Sequence, residues 1–297
     1  MAYEISRLSE TRSDLAEGPT WDDRTGCLYW CDILGKRLHA LDWSSRQERH
    51  WDLPDVIGSF GLTDDPGRLV VAIRDRVAIL TLEDGTLDVL AEIETGDPRT
   101  RLNDGRVGPD GAFYVGTMDD RPERQPIGAL YRVRADGSCE TLVEGVTVSN
   151  GLAWSPDGRT MYHADSRPGI IEAWDFDPAT GAMSGRRLFA KLADEDGRPD
   201  GGTVDADGRY WSAGVSAGLL NCFSPDGTLV EVIAMPVPRP TMPCFCGPDL
   251  DALVVTSLRP LADAALLEAH PDSGRLFMLR PGVRGLKAER FSLQGPA

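Results

Sequence analysis

Short apolar runs alternate along the chain with turns rich in Pro, Asp, Asn and Gly. Within many runs apolar and polar positions trade places, as in "GALYRVRADGSCETLVE" and "LLNCFSPDGTLVEVIAM". Period-two patterning bounded by Gly and Pro predicts strands joined as hairpins. Helical periodicity is nearly absent. Only "PLADAALLEAH" reads as a helix, and it is short.

The strand pairs recur in a larger unit. "EGPTWDDRTGCLYWCD", "FGLTDDPGRLVVAI", "NDGRVGPDGAFYVGTM", "SNGLAWSPDGRTMYHAD" and "PDGGTVDADGRYWSAG" share a small loop, an apolar stretch, a Gly turn and an alternating apolar run. The turn glycines are Gly26, Gly67, Gly111, Gly158 and Gly208, spaced 41, 44, 47 and 50 residues apart. A degenerate sixth unit, "CFCGPDLDALVVTS", turns near Asp251, 43 residues further on. Pro-Asp-Gly pre-sets φ at Pro and permits positive φ at Gly. Four strands per unit of roughly 40–50 residues is the arithmetic of a propeller blade. The expectation is therefore all-β: one six-bladed β-propeller over residues 1–297, with four-stranded blades around a central channel. Six units of four strands favour this ring over a sandwich or a solenoid. Ring closure is expected from "YEISRLS" beside C-terminal strands such as "LKAERFSLQ".

Aligning the units exposes one polar slot. Glu17-Gly18 falls with Asn150-Gly151 and with Asp200-Gly201, and Asp104-Gly105 matches within a residue, with Asn103 before it. The second unit has Ser59 there. The first strand of a propeller blade lines the channel, so a residue just ahead of it stands at the channel mouth. Asn-Gly and Asp-Gly are ordinary turn pairs taken singly. Their recurrence at one slot points instead to oxygen-bearing side chains gathered near the axis. Glu17, Asp104 and Asp200 would repel one another there unless a cation neutralised them. An all-oxygen set implies Ca²⁺, Mg²⁺ or Mn²⁺, with Zn²⁺ and Fe²⁺ as alternatives.

Charge and cysteine usage narrow the partners. The net charge is −16 and no Lys/Arg-rich run appears, which argues against nucleic acid and anionic membrane. The N-terminal stretch "MAYEISRLSETRSD" does not read as a signal peptide, and no apolar run is long enough to span a bilayer, so the expected compartment is the cytoplasm. A monomer or a weak homo-oligomer is expected. Six cysteines include no CxxC pair. Cys27 and Cys31, four apart in a strand, would lie roughly 13 Å from each other, too far for a disulfide. They are expected to be buried free thiols.

Together "EGPTW", "RLNDGRVGPDGAFYVGTM", "SNGLAWSPDG", "YHADS", "RPDGG", "CFCGPDLDALVVTS" and Arg259 make the chain resemble, nearly end to end, the gluconolactonase-like family that includes regucalcin. That family is built as six-bladed propellers. The resemblance implies that Glu17, Asn150 and Asp200 bind one divalent metal, Ca²⁺ first. It implies that Arg101 and Asn103 hold substrate oxygens and that Asp200 is the general base; because a metal ligand makes a weak base, metal-bound hydroxide is the rival nucleophile. An acidic residue shortly after "GTM" is common in the family, and here Asp119 and Asp120 are both placed to serve as substrate residues. Cys246 replaces a family glycine in "CFCGPDL". The implied activity is metal-dependent hydrolysis of a sugar lactone to the aldonic acid. Two alternatives stand beside it: a related propeller esterase or phosphotriesterase, and a non-enzymatic calcium-binding propeller. Which sugar is used is not legible.

Other motifs carry less. "GVSAG" around Ser216 matches a nucleophile elbow, but that motif needs a following helix, and "LLNCFS" reads as a strand. "DADGR" and "DEDG" lack the spacing of a calcium loop and read as turns. The four histidines are dispersed. His163 in "MYHAD" suits either the channel or strand packing.

Overall fold

The computed structural model describes residues 3–295. Six antiparallel four-stranded blades form the ring, the second carrying a fifth, parallel strand at its inner edge and the sixth taking its outer strand from the N-terminus. Their innermost strands are Ala16–Asp22, Ile57–Thr63, Thr100–Val107, Ser149–Trp154, Pro199–Val204 and Pro240–Cys246, defining blades 1 to 6. Inner strands are buried on both faces, whereas outer ones such as Cys139–Val146 and Met183–Lys191 are largely exposed.

One apolar cluster fills each gap between neighbouring blades, and together they close a ring. Leu38 and Tyr29 of blade 1 meet Phe60 and Leu62 of blade 2. At the closing joint Trp21, Leu28 and Trp30 of blade 1 meet Cys246, Ala252 and Val254 of blade 6. At ~25 cal/mol per Å² of buried apolar surface, these six interfaces are the main stabilising term.

Ring closure brings the N-terminal strand beside a C-terminal one, as expected, but with a different partner. Ser6–Arg7 pairs antiparallel with Phe277–Leu279 and supplies the outer strand of blade 6. The "LKAERFSLQ" segment does not join it. Arg290–Phe291 instead pairs in parallel with Leu62–Thr63 of blade 2. The physical reason is that blade 6 lacks only an outer strand, while blade 2 still offers an inner edge to the C-terminal segment. That segment crosses the end of the ring away from Glu17. Ala206 donates to the Arg284 carbonyl, Lys287 and Arg290 pair with Asp23, and Ser292 donates to the Gly111 carbonyl. It thereby ties blades 5, 1, 2 and 3. A cavity of about 270 Å³ lies along the axis above it, lined by Phe60, Arg106, Trp154, Met242 and Leu286 among others.

The expected helix is Ala264–Ala269, capped by the Asp263 carboxylate accepting from the Leu266 amide. No helix among the described residues is long and apolar enough to cross a membrane. Cys27 and Cys31 are buried free thiols, as expected.

Candidate active site

Every inner strand loses register with its neighbour once. Pairing skips from Glu17 to Thr20, Ile57 to Ser59, Leu102 to Gly105, Asn150 to Ala153, Pro199 to Gly202 and Pro240 to Pro243. A β-bulge leaves residues unpaired and re-aims their side chains. The repeated polar slot therefore sits inside the first strand, at a bulge, and not just ahead of it. Glycine makes the bulges fit. Gly151 has φ +63°, and a Cβ there would stand 2.5 Å from the Tyr210 hydroxyl and 3.2 Å from the Asp200 carbonyl.

Hydrogen bonds link the slot residues across blades. Arg101 Nη1 donates to Asn103 Oδ1 at 2.8 Å. Asn103 Nδ2 donates to the Ser149 carbonyl at 2.9 Å and to Asn150 Oδ1 at 3.1 Å. Asn150 Nδ2 donates to Ser166 Oγ at 2.7 Å. Both amides are thus oriented, and Asn150 Oδ1 keeps acceptor capacity toward the site. Asp104 is turned toward blade 4, where the Leu152 amide donates to it at 3.2 Å. Tyr210 Oη donates to the Gly151 carbonyl at 2.8 Å and ties blade 5 to blade 4.

Three carboxylates share this layer with few donors. Glu17 is 8 % exposed and accepts one bond, from the Gly18 amide at 3.1 Å. Burial holds its carboxyl well above the usual range, and the charges of Asp200 and Asp104 add to the effect. Burial likewise pushes Asp200 up to about 8, with Asp104 adding and Arg198 and Arg101 opposing. Burial also raises Asp104, offset by Arg106. Concentrated negative charge in a dry place calls for protons or a cation.

The donor set fits a hard divalent ion. Glu17, Asn150 and Asp200 offer two carboxylates and one oriented amide oxygen, all hard ligands. Among the described residues no three His, Cys, Asp or Glu side chains are grouped as a ready metal cage. A site here therefore depends on the Asn150 amide and on coordination completed by water or substrate. Cys31 Sγ lies 3.3 Å from the Glu17 carbonyl. Its thiol is raised well above the usual range by burial, so it is an uncharged structural group.

The acidic pair after "GTM" divides. Asp119 is fully buried and accepts four bonds: from Arg121 Nε at 2.8 Å, Nη2 at 3.0 Å and backbone amide at 3.1 Å, and from the Gln125 amide at 2.6 Å. Its oxygens are engaged in holding the 119–125 loop. Asp120 instead accepts from Arg101 Nε at 3.0 Å and orients that guanidinium. Ser166 and Ser149 went unassigned from the sequence, although Ser166 closes the quoted "YHADS". His163 packs rather than lining the channel. It is buried, bonded to Ser149 Oγ at 2.7 Å, and kept uncharged by burial. Ser216 sits in a hairpin turn between Tyr210–Gly214 and Leu219–Phe223. It accepts from the Arg198 amide and donates to the Asp194 carbonyl, so it is no nucleophile elbow.

The class the fold defines is a six-bladed propeller that carries oxygen-bearing side chains and a guanidinium–amide pair at its axial bulges. The chain belongs to the SMP-30/gluconolactonase/LRE-like family, whose model matches residues 15–259. It is 36% identical to L-arabinolactonase of Azospirillum brasilense over 98% of this chain and 96% of that protein. It is 38% identical to 6-deoxy-6-sulfogluconolactonase of Pseudomonas putida over 94% of this chain and 96% of the relative. Among solved structures, regucalcin of Agrobacterium tumefaciens strain C58, described as a calcium-binding protein, superposes with a TM-score of 0.92 at 30% identity over 98% of each chain.

Proposed function

We propose that the protein is a metal-dependent lactonase, a carboxylic ester hydrolase that opens a sugar lactone to its aldonic acid. The observation that carries the reading is the bonded line Arg101–Asn103–Asn150 beside the buried carboxylates Glu17 and Asp200. The lactonases among its relatives support it.

Glu17, Asn150 and Asp200 would hold one divalent cation, Ca²⁺ foremost, which when bound polarises the lactone carbonyl and offsets the carboxylate charge. Arg101 presents a planar fork of donors to substrate oxygens, held in direction by Asp120. Asn103 offers both a donor and an acceptor, as a polyol requires. Asp200 accepts the proton of the attacking water at a carboxylate oxygen. Water oxygen bonds to the carbonyl carbon, the ring C–O bond breaks, and the departing ring oxygen takes the proton. Burial raises Asp200 in the metal-free protein, and a cation held by the same carboxylate would oppose that rise, so its strength as a base is set by the balance of the two.

The test is acid release from a panel of aldonolactones and one phosphotriester, with chelator and then with Ca²⁺, Mg²⁺, Mn²⁺ or Zn²⁺. Metal-dependent lactone opening that disappears in Asp200→Asn is expected. Turnover near wild type in that variant overturns the role of Asp200. Phosphotriester hydrolysis without lactone hydrolysis overturns the substrate class.

A further inference from the structure

Three guanidinium groups from three different elements converge on one carboxylate at the edge of the site. Arg101 comes from the inner strand of blade 3, Arg74 from the turn between Arg68–Ile73 and Arg76–Thr81 of blade 2, and Arg124 from the loop after Phe113–Asp119. Their distances to the Asp120 carboxylate are 3.0 Å from Arg101 Nε, 3.9 Å from Arg74 Nη1 and 4.0 Å from Arg124 Nη1. Only the first is a hydrogen bond. The other two are attractions of charge, and they leave donors unspent, although Arg124 also donates to the Asp119 carbonyl. The charge of Arg167 is felt at Arg124 as well. Neighbouring arginines are already neutralised: Arg99 by Asp97 and Arg121 by Asp119. Three guanidiniums therefore face the Asp120 carboxylate, with Asp119 also felt at Arg124 and Asp55 lying within the field of Arg74, in a chain whose net charge is −16.

One further fact separates this from an ordinary surface network: the side chains are half-sheltered, Arg74 34 % and Arg124 26 % exposed. That geometry raises the strength of a charge contact while keeping it open to a ligand. Arg101 joins the cluster directly to Asn103, so a substrate held at Asn103 has the cluster within one side chain's reach.

We propose that the site takes a lactone bearing an oxoanion (a sulfonate, phosphate ester or second carboxylate) on the substituent remote from the ring ester, recognised by Arg74 and Arg124. This rests on the lactonase reading for its turnover. Guanidiniums match oxoanions bidentately, and a compact neutral hydroxymethyl group would leave the surplus charge unanswered.

The test compares glucono-1,5-lactone with its 6-phosphate, 6-sulfonate and 6-carboxylate analogues, using the Ca²⁺-loaded protein at low salt. An anionic lactone is expected to exceed the neutral one in kcat/KM by on the order of tenfold or more, mainly through KM. The ranking of the three analogues names the oxoanion. Arg124→Gln and Arg74→Gln are each expected to cut the anionic-to-neutral ratio about tenfold, and salt raised from about 0.05 to 0.5 M to shrink it. Equal or better use of the neutral lactone, with both variants shifting the substrates alike, overturns the proposal. Calorimetry with gluconate and 6-phosphogluconate separates the two readings. Should no lactone be hydrolysed, the lactonase reading fails. Tenfold tighter binding of the phosphorylated acid still upholds the anion site, and equal affinities overturn it.

Discussion

Asp200→Asn should stabilise the metal-free protein. The carboxylate is buried at a bulge of blade 5, near Asp104 and Glu17, and is held near 8. Its ordinary value is 3.8. A carboxyl raised on folding binds its proton more tightly in the native state, so the destabilisation is absent below the unfolded value and grows as pH rises toward the folded one. At pH 7 the gap corresponds to about 4 kcal/mol. The amide keeps the shape and takes up no proton on folding, so it avoids that cost. The expected gain is therefore about 2–4 kcal/mol at pH 7, vanishing near pH 4. Urea unfolding in excess chelator, repeated from pH 4 to 8, measures it. A metal-free variant less stable than its parent at pH 7, or a difference that does not change with pH, refutes the argument. Adding Ca²⁺ should then favour the parent, because an ion that binds only the native state stabilises by about 2.7 kcal/mol at a hundred times its Kd.

Two other outcomes follow from the packing. Gly151→Ala should cost about 2–4 kcal/mol and most of the activity, since the added methyl meets the Tyr210 hydroxyl at 2.5 Å in a left-handed backbone. Gly26→Ala, at φ +68° but with nothing within 4 Å, should cost only about 1 kcal/mol, so equal losses in the two would sink the axial-crowding account. His39 stacks on Trp30 at 5.1 Å and is pulled down to about 4, chiefly by burial. A depressed histidine contributes stability that is present above its unfolded value near 6.5 and is lost as pH falls toward 4, about 2 kcal/mol by pH 5. His39→Gln should flatten stability between pH 7 and 5 relative to the parent in the same urea titration.

The ring was legible because each blade repeats its own turn chemistry. Gly26, Gly111, Gly158 and Gly208 all take positive φ, so the residue that marks the repeat is the one the backbone needs. The slot was legible for the same reason. Three facts were not. Bulges displace the slot from the strand entrance into the strand, and the glycines that permit them, Gly18, Gly151 and Gly201, also read as ordinary turn residues. Asp119 and Asp120 are identical in kind, and only the loop path decides which one is consumed by Arg121 and which reaches Arg101. Ring closure depended on which free edge each terminus meets, a tertiary choice between segments of similar alternation.

The position of the site follows from where a propeller keeps its stability. The six apolar clusters lie between blades, and each joins sheets that are already paired. The axial layer is therefore free to carry groups that oppose folding, and it does: Glu17, Asp104 and Asp200 are all raised by burial. The C-terminal segment sharpens the effect. By crossing the far end of the ring and anchoring at Asp23 and Leu62–Thr63, it covers the axial cavity from below. Destabilisation at the axis and apolar closure around it are thus linked, since a hydrated channel would leave the carboxylates near their ordinary values and with weaker pull on a cation.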